Sequence, residues 1–298
     1  MNLRVTDDQY AELVERRWRD PAGVAAALAT RKRRTGPLPG SIFIVAADHS
    51  SRGALGIRDE PLAMADRQSL LERLAEALAN PSVDGVLASA DILEDLALLG
   101  LLEGRLAYGT MNRGGLMGAR WELDDRFTAY DAAHIASIGL DGGKMLLRID
   151  DEDPGTIPTL ESCARAVTEL ADRGLHAMVE PLPYRKNEHG GAVLDPSEEK
   201  LIRAMGVASG LGASAAYTWL KVPASADVER VMRISSLPAL ILGGAPGRDP
   251  AAALARWERA LALPTVRGLV VGRTLLYPVD GDVARAVETA GALVEARR

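Results

Sequence analysis

The sequence predicts an α/β fold, a single closed (β/α)8 TIM barrel preceded by a helical extension. Short apolar runs rich in β-branched residues alternate with longer amphipathic stretches, which is the pattern of strand–helix units around a parallel sheet. Eight such runs can be counted along the chain. Residues 41–298 also match the typical size of such a barrel, about 250 residues. We therefore expect one domain over residues 1–298, in which residues 1–40 form the N-terminal helical extension.

The extension is predicted to be helical because of its capping residues. Thr6 is followed three positions later by Gln9, which is the spacing of a capping box. The basic run 31–34 follows the helical stretch, where cations suit the negative end of a helix dipole. We interpret this run as a solvated helix end. The apolar face, which would cover the bottom of the barrel or meet another subunit, consists of Tyr10, Val14 and Trp18.

The predicted strands are 41–48, 83–89, 105–110, 143–149, 175–181, 216–223, 238–243 and 268–272. Between them, the predicted helices include 62–79, 126–138, 160–172 and 251–262. Asp195-Pro196 and Asp249-Pro250 mark two helix starts, because an Asp N-cap is compatible with a proline in the first turn, where the missing N–H costs nothing.

An open, doubly wound sheet is the main competing fold, and it predicts a dinucleotide-binding glycine motif. The nearest match consists of Gly210, Gly212 and Ala215. In such a motif the glycine turn follows a strand and opens a helix, whereas here it follows a helix and precedes a strand. The closed barrel is therefore favoured.

Composition limits the classes of function. The 298 residues carry 35 basic and 41 acidic side chains, and a net charge of −6 argues against a nucleic-acid-binding surface. No apolar run approaches the roughly 20 residues of a membrane span, and the first residues lack a secretory signal. Cys163 has no disulfide partner. We expect a cytoplasmic protein without nucleic-acid or membrane partners. The sequence does not determine its oligomeric state, and a homo-oligomer is possible.

A lysine interrupts the apolar strand 216–223. Strand alternation places Tyr217, Trp219 and Lys221 on one face. Catalytic groups of a (β/α)8 barrel lie at the carboxyl ends of its strands, and burial lowers the pKa of an amine toward the neutral form that attacks a carbonyl. Lys221 is therefore a candidate nucleophile. The alternative is a lysine paired with a carboxylate for structural reasons.

Two neighbouring strands contribute further charged residues. Glu180 ends strand 175–181, where it could move protons during attack on a carbonyl and the dehydration that follows. Lys144 lies on strand 143–149, and repulsion between two ammonium groups would favour a neutral amine on one of them. The alternative for Lys144 is an ion pair with Glu180 or Asp48 that has no chemical role.

The first predicted strand ends in Asp48 and His49. Alternation puts Ile44, Ala46 and Asp48 on one face, so Asp48 should point into the barrel. His49 would then face the helix layer or the following loop, where a structural and a catalytic role are equally reasonable.

Glycines end the last two predicted strands, and they point to an anion. The loops after strands seven and eight are the usual phosphate site of this fold, where glycines let backbone N–H groups approach. Arginine adds a bidentate cation. The predicted phosphate-binding residues are Gly243, Gly244, Gly272 and Arg273.

A metal site is not expected, because the four histidines, His49, His134, His176 and His189, do not converge. His134 falls within a predicted helix, and His176 lies at the amino end of its strand. Cys163 is expected on the core side of a helix.

At these positions the sequence resembles the class I, Schiff-base-forming aldolase superfamily. That superfamily includes tagatose-bisphosphate aldolase, archaeal-type fructose-bisphosphate aldolase and, more distantly, deoxyribose-phosphate aldolase. The segments that carry the resemblance are 48–53 (DHSSRG), Lys144 in 142–150 (GGKMLLRID), Glu180, Lys221 in 217–223 (YTWLKVP) and Gly272-Arg273. Segments 111–133 and 268–284 are similar to a (β/α)8 aldolase-like family often encoded beside myo-inositol catabolism genes.

The resemblance implies roles for individual residues. Lys221 would be the Schiff-base lysine and Glu180 the proton shuttle, with Asp48 and Lys144 as their polar partners. The glycines and Arg273 would hold phosphate. One departure is visible, because tagatose-bisphosphate aldolases carry Asp-Gln where this chain has Asp48-His49, so substrate choice does not carry over with the chemistry.

The inositol setting implies 2-deoxy-5-keto-D-gluconate 6-phosphate as substrate, cleaved to dihydroxyacetone phosphate and malonate semialdehyde without a metal or organic cofactor. The partner would thus be a small-molecule sugar phosphate. Its carboxylate would need a cation, for which Arg113 is the first candidate; the others are Arg52, Arg148, Arg185 and Lys186. The alternatives are an aldolase for fructose or tagatose bisphosphate or deoxyribose phosphate, and a sugar-phosphate-binding barrel without catalysis.

Overall fold

A computed structural model describes residues 5–298. Within these residues, eight parallel strands form a closed barrel surrounded by helices, so the predicted fold is confirmed. The barrel strands are β1 Ile42–Ala46, β2 Gly85–Ala88, β3 Leu106–Thr110, β4 Gly142–Ile149, β5 His176–Lys186, β7 Thr218–Pro223, β8 Ala239–Leu242 and β9 Val266–Val271. They pair in the order β4-β3-β2-β1-β9-β8-β7-β5, and pairing of β4 with β5 closes the barrel.

The helices of the described residues lie between and around these strands. They are α1 Asp7–Arg19, α2 Pro21–Thr30, α3 Arg67–Leu78, α4 Ala90–Leu98, α5 Ala132–Ser137, α6 Thr156–Ala171, α7 Glu198–Ser209, α8 Val228–Met232, α9 Pro250–Leu261, α10 Arg273–Leu276 and α11 Val283–Glu295, with a 3₁₀ turn at Ser50–Arg52. Of the helices in residues 5–298, none combines the length and the apolar character that crossing a bilayer requires.

A β-hairpin on the fifth barrel strand is the main element that the sequence did not predict. β5 continues beyond the predicted end at 181 to Lys186, and β6, Ala192–Leu194, returns antiparallel to it. Asn187 closes the turn, because its side chain accepts from the backbone N–H groups of His189 and Gly191. The hairpin brings Leu182, Tyr184 and Leu194 to the upper mouth of the barrel.

Two predicted helix features differ from the structure for local reasons. The helix predicted at 126–138 begins only at Ala132, where Asp131 caps it by accepting from the N–H of His134. Asp195 is not an N-cap, since Ser197 caps α7 instead. The Asp249-Pro250 start is confirmed, because Asp249 accepts from the N–H of Ala252 and begins α9.

The N-terminal extension consists of two helices. The capping box of Thr6 and Gln9 is confirmed at the start of α1. Leu13 is the buried residue of α1 and Tyr10 packs partly buried against the core, whereas Val14 and Trp18 are 58% and 84% exposed, so only part of the predicted apolar face packs. The basic run follows the end of α2, but it is solvated only in part, because Lys32 and Arg33 are exposed whereas Arg31 is not. Arg31 is buried and donates to the carbonyls of Leu28 and Gly139, which ties the extension to the lower end of β4.

Strand alternation divides the barrel interior into an apolar bottom and a charged top. On β7, Trp219 and Lys221 face inward, as predicted, whereas Tyr217 lies before the strand and is 39% exposed. The Trp219 ring stacks on His176 with a centroid distance of 4.0 Å, and Tyr108 Oη lies 3.0 Å from His176 Nδ1. These rings pack in the lower part of the barrel interior, below the charged residues.

A buried arginine organises the long loop between β3 and α5. Arg148, at the end of β4, is 0% exposed and contacts Glu122 Oε1 at 2.6 Å and Asp125 Oδ2 at 3.1 Å. Both carboxylates come from this loop. Arg148 was one of the cations considered for a substrate carboxylate, and that hypothesis is disfavoured because its guanidinium is enclosed by protein.

We predict that Arg148→Met destabilises the protein by about 3–5 kcal/mol, because two carboxylates then lose their buried cation. Urea denaturation followed by circular dichroism measures this change. Arg203→Met is the matched control, since Arg203 forms an exposed pair with Asp151 and should leave the midpoint nearly unchanged. An equal midpoint for both variants would contradict the prediction.

Candidate active site

A cavity of about 270 Å³ opens at the carboxyl ends of the barrel strands. This is the end at which enzymes of this fold bind substrates. Its lining includes ten of the residues that the sequence singled out: Asp48, His49, Arg113, Lys144, Glu180, Lys221, Gly243, Gly244, Gly272 and Arg273. Residues from seven barrel strands and their loops thus meet in one space.

Five of these side chains form a buried chain of alternating charges. Lys221 Nζ lies 3.0 Å from Glu180 Oε1, and the other oxygen of Glu180 contacts Lys144. Lys144 Nζ lies 3.2 Å from Asp48 Oδ2, and the same carboxylate contacts Arg113. Each member is less than a tenth exposed. The chain links the third, fourth, fifth and sixth barrel strands with the first.

The charge state of these five side chains follows from the number of cations and carboxylates among them. Three cations and two carboxylates leave one excess positive charge when all five groups are ionised, and burial makes such an excess costly. Loss of one proton from a lysine removes it. The chain therefore favours one neutral amine, which is the form that a nucleophile needs.

Both lysines have lowered pKa values. Burial lowers the pKa of Lys221, although the nearby Glu180 carboxylate opposes this effect. Burial lowers the pKa of Lys144 well below its usual value, and the charges of Lys221 and Arg113 add to the effect. Burial alone would raise the pKa of Glu180, but Lys144 and Lys221 together outweigh it and hold that pKa below its usual range. Glu180 is thus ionised between two amines.

Arg113 differs from its predicted role. It follows Asn112, whose side chain bonds both backbone groups of Leu146 and so extends the pairing of β3 with β4. This anchor directs Arg113 toward Asp48, and burial lowers the pKa of Arg113 to about 10. Because its guanidinium is engaged by a protein carboxylate, Arg113 fits the positioning of Asp48 better than the binding of a substrate carboxylate.

His49 lines the cavity rather than facing away from it. Its Nδ1 is buried and has no hydrogen-bond partner in residues 5–298. Burial lowers the pKa of His49 well below its usual value, and the charges of Arg273 and Lys221 add to the effect. His49 is therefore a neutral imidazole that packs beside Gly272, where a Cβ would overlap its Cε1.

The predicted phosphate residues lie together at the ends of β8 and β9. Gly244 has φ +70, a conformation that favours glycine, and a Cβ on Gly243 would overlap Val271. Arg273 follows Gly272 and forms no ion pair within residues 5–298. Three glycines and an arginine without an ion pair in the described residues thus border one side of the cavity.

Arg52, one of the cations considered for a substrate carboxylate, lines the cavity, whereas the lining residues of the hairpin were missed because their signals are not periodic. Arg52 lies on the 3₁₀ turn after β1, which Ser51 fixes by donating to the Asp48 carbonyl at 2.9 Å. The hairpin residues Leu182, Tyr184 and Leu194 form the apolar part of the mouth. Arg185 and Lys186, which were also considered for a carboxylate, are exposed and lie outside this cavity, next to Asp150–Glu152.

Metal-binding residues do not gather here. Throughout the part of the chain that the structure describes, no group of three or more His, Cys, Asp or Glu side chains is arranged to hold a metal ion. Cys163 is buried in α6, and burial raises the pKa of its thiol. The cavity lining contains the amines of Lys144 and Lys221 and the carboxylates of Asp48 and Glu180.

Comparison with known proteins yields a family and several related structures. The family described as Cgl0159-like has a sequence model that matches residues 40–291. The crystal structure of Cgl0159 from Corynebacterium glutamicum is 47% identical, the alignment covers 98% of this chain and 99% of that one, and the TM-score is 0.95. Among curated proteins, none matches the sequence.

Two more distant structures share the fold. An archaeal fructose 1,6-bisphosphate aldolase is 20% identical over 86% of this chain and 94% of its own, with a TM-score of 0.64. The fructose-bisphosphate aldolase from Slackia heliotrinireducens is 14% identical over 99% of this chain and 93% of its own, with a TM-score of 0.58. At these identities the similarity establishes the barrel and not the chemistry.

Proposed function

The chain belongs to the Cgl0159-like family, and from the chemistry of its cavity we propose that it is a class I aldolase whose Schiff-base nucleophile is Lys221. The observation that carries the proposal is a buried amine with a lowered pKa, 3.0 Å from an ionised carboxylate, in a cavity at the catalytic end of the barrel. A neutral amine in such a place attacks a carbonyl carbon.

The reaction begins when Lys221 adds to the ketone of the substrate. The nitrogen loses a proton and the former carbonyl oxygen gains one, which gives a carbinolamine. A further proton on its hydroxyl releases water and leaves an iminium ion. Deprotonation of the hydroxyl two carbons away then breaks the intervening carbon–carbon bond, so that an aldehyde departs and the electron pair moves onto the iminium as an enamine. Protonation of the enamine carbon and hydrolysis free the second product and Lys221.

Glu180 is the proposed carrier of these protons, because Lys221 Nζ bonds directly to its carboxylate. Lys144 and Asp48 are positioning residues in this proposal. Lys144 bonds the second oxygen of Glu180 and fixes its orientation, while Asp48 holds Lys144 from the other side. Besides burial, the charges of Arg113 and Arg52 lower the pKa of Lys221.

The phosphate end of the substrate is proposed to bind at Gly243, Gly244, Gly272 and Arg273. Holding this end fixes the ketone beside Lys221, and such positioning contributes several kcal/mol to catalysis in favourable cases. The aldolases of known structure that share the fold act on phosphorylated sugars by name, and this agrees with a sugar phosphate here.

For the substrate itself we propose 2-deoxy-5-keto-D-gluconate 6-phosphate, cleaved to dihydroxyacetone phosphate and malonate semialdehyde. The resemblance to the family encoded beside myo-inositol catabolism genes supports this choice. The structure leaves the substrate carboxylate without an obvious cation, since Arg113 and Arg148 are engaged by protein carboxylates. Fructose bisphosphate, tagatose bisphosphate and deoxyribose phosphate are therefore the substrates to compare.

Borohydride trapping tests the chemistry directly. Reduction in the presence of dihydroxyacetone phosphate should add one covalent adduct, mapped to the peptide that contains Lys221. Because attack requires the neutral amine, the rate of trapping should rise with pH through the lowered pKa of Lys221, with its midpoint below the ordinary lysine value of about 10.4. The same reaction with each candidate sugar, paired with a turnover assay, ranks the substrates.

Two outcomes would reject the proposal. An unchanged protein mass with every phosphorylated ketose would leave a barrel that binds sugar phosphates without catalysis. An adduct on a lysine outside the cavity would indicate nonspecific reductive alkylation. Exposed Lys200 serves as the internal control, because it lies outside the cavity and its pKa is raised by a hydrogen bond to Asp195.

A further inference from the structure

Arg52 and Arg273 enter the cavity from adjacent sides. β1 pairs with β9, so the residues that follow these two strands are neighbours on the rim of the barrel. Arg52 lies on the 3₁₀ turn after β1, and Arg273 follows Gly272 at the end of β9. Both line the cavity that contains Lys221.

These two guanidinium groups carry charges that the protein does not neutralise well. Within residues 5–298, the carboxylate contact of Arg52 is Glu122 at 3.6 Å, and this same oxygen of Glu122 contacts Arg148 at 2.6 Å. Arg273 has no ion pair in the described chain, and its Nε is buried without a hydrogen-bond partner there. The Arg52 side chain is only 13% exposed, so water screens it weakly.

The two arginines line the same cavity from the ends of paired strands, so their like charges repel. Burial lowers the pKa of Arg273, and the charge of Arg52 is the next cause. Two like charges that are partly buried and poorly paired destabilise an empty site. An anion bound between them removes the repulsion and gains charge-assisted hydrogen bonds from both guanidinium groups.

The backbone holds Arg52 in place for this purpose. Its N–H donates to the His49 carbonyl at 3.3 Å, and its own carbonyl accepts from the N–H of Met117 at 2.9 Å. Gly53 ends the turn with φ +76, which favours glycine. The backbone of Arg52 is thus held by its own turn and by the loop after β3, which lowers the entropy cost of binding.

We propose that Arg52 and Arg273 together form a two-arginine pocket that binds the phosphoryl group of the substrate as a dianion. This inference rests on the proposed phosphate subsite and adds Arg52 to it, instead of assigning Arg52 to a carboxylate at the far end of the substrate. A dianion neutralises both guanidinium groups, whereas a carboxylate neutralises one. The pocket therefore selects phosphate monoesters over carboxylates at this end of the cavity.

The test is calorimetric titration of the full-length protein with inorganic phosphate and, separately, with acetate. We expect Arg52→Gln and Arg273→Gln each to weaken phosphate binding about 10-fold or more, since each removes charged hydrogen bonds. The double variant should lose less than the product of the two single effects, because both side chains bind one ion. Phosphate affinity of the wild type should rise as pH is raised through the second pKa of phosphate.

Arg52→Lys and Arg203→Gln are the controls. Arg52→Lys keeps the charge and should retain part of the affinity, and Arg203 is exposed and distant from the pocket. Wild-type phosphate affinity in Arg52→Gln would overturn the proposal, as would an acetate site that is tighter than the phosphate site and depends on Arg52. Calorimetry needs no turnover, so the two proposals can fail separately. Phosphate binding that depends on both arginines, together with failed borohydride trapping, would reject the aldolase and keep the pocket. Successful trapping, together with unchanged phosphate binding in Arg52→Gln, would keep the aldolase and reject the pocket.

Discussion

Lys221→Met is expected to lose borohydride trapping completely and to lower kcat/KM for the best substrate by at least about 10⁴-fold, because no other group replaces the covalent nucleophile. Methionine has an unbranched side chain one atom shorter than that of lysine, and it is apolar, which suits a buried place. Glu180 retains Lys144 as its partner, so the change does not leave a buried carboxylate without a cation.

Lys144→Met is the matched variant for this experiment. It removes an equally buried lysine that contacts the same carboxylate, but Lys221 keeps its 3.0 Å bond to Glu180. The adduct should still form in Lys144→Met, at a reduced rate, because the orientation of Glu180 is less well fixed. If instead Lys144→Met abolished the adduct and Lys221→Met kept it, the nucleophile would be Lys144 and the proposed roles would have to be exchanged.

The sequence predicts those site residues whose side-chain direction is determined by the alternation of a strand. Lys221 and Trp219 lie two residues apart on β7, so their common inward direction is a local property of the strand. The same holds for Asp48, which extends the alternation of Ile44 and Ala46 past the end of β1. A glycine pair after β8 was equally visible, because a position with φ +70 selects glycine whatever the fold around it.

The partners of these residues could not be predicted in the same way. Arg113 and Asp48 come from strands that are not neighbours in the chain, and their contact across the barrel depends on how the sheet closes. Arg148 lies two residues beyond Leu146 on an inward face, yet it is sealed by Glu122 and Asp125 from a loop without periodicity. The position of a residue at a strand end therefore identified the cationic side chains near the site. Only the three-dimensional structure shows which of these cations are paired with protein carboxylates and which are available to a ligand.

Glu180→Gln is expected to lower kcat by about 10²–10⁴-fold, the usual contribution of a positioned proton carrier. Glutamine has nearly the same shape and can still accept a hydrogen bond from an amine, so the cavity keeps its geometry. What changes is the charge, and this separates two roles that the carboxylate has in the proposed reaction.

The sign of the pH effect distinguishes these roles. In the wild type the Glu180 carboxylate raises the pKa of Lys221 and thus favours its ammonium form. In Glu180→Gln this effect is lost, so the pKa of Lys221 falls further and the neutral amine is present at lower pH. Borohydride trapping should then reach its half-maximal rate at a lower pH than in the wild type, even though turnover has dropped. Glu188→Gln, at the exposed tip of the hairpin, should change neither quantity. If Glu180→Gln trapped only at higher pH, Glu180 would not be the electrostatic partner of Lys221. If it turned over at the wild-type rate, Glu180 would not be the proton carrier.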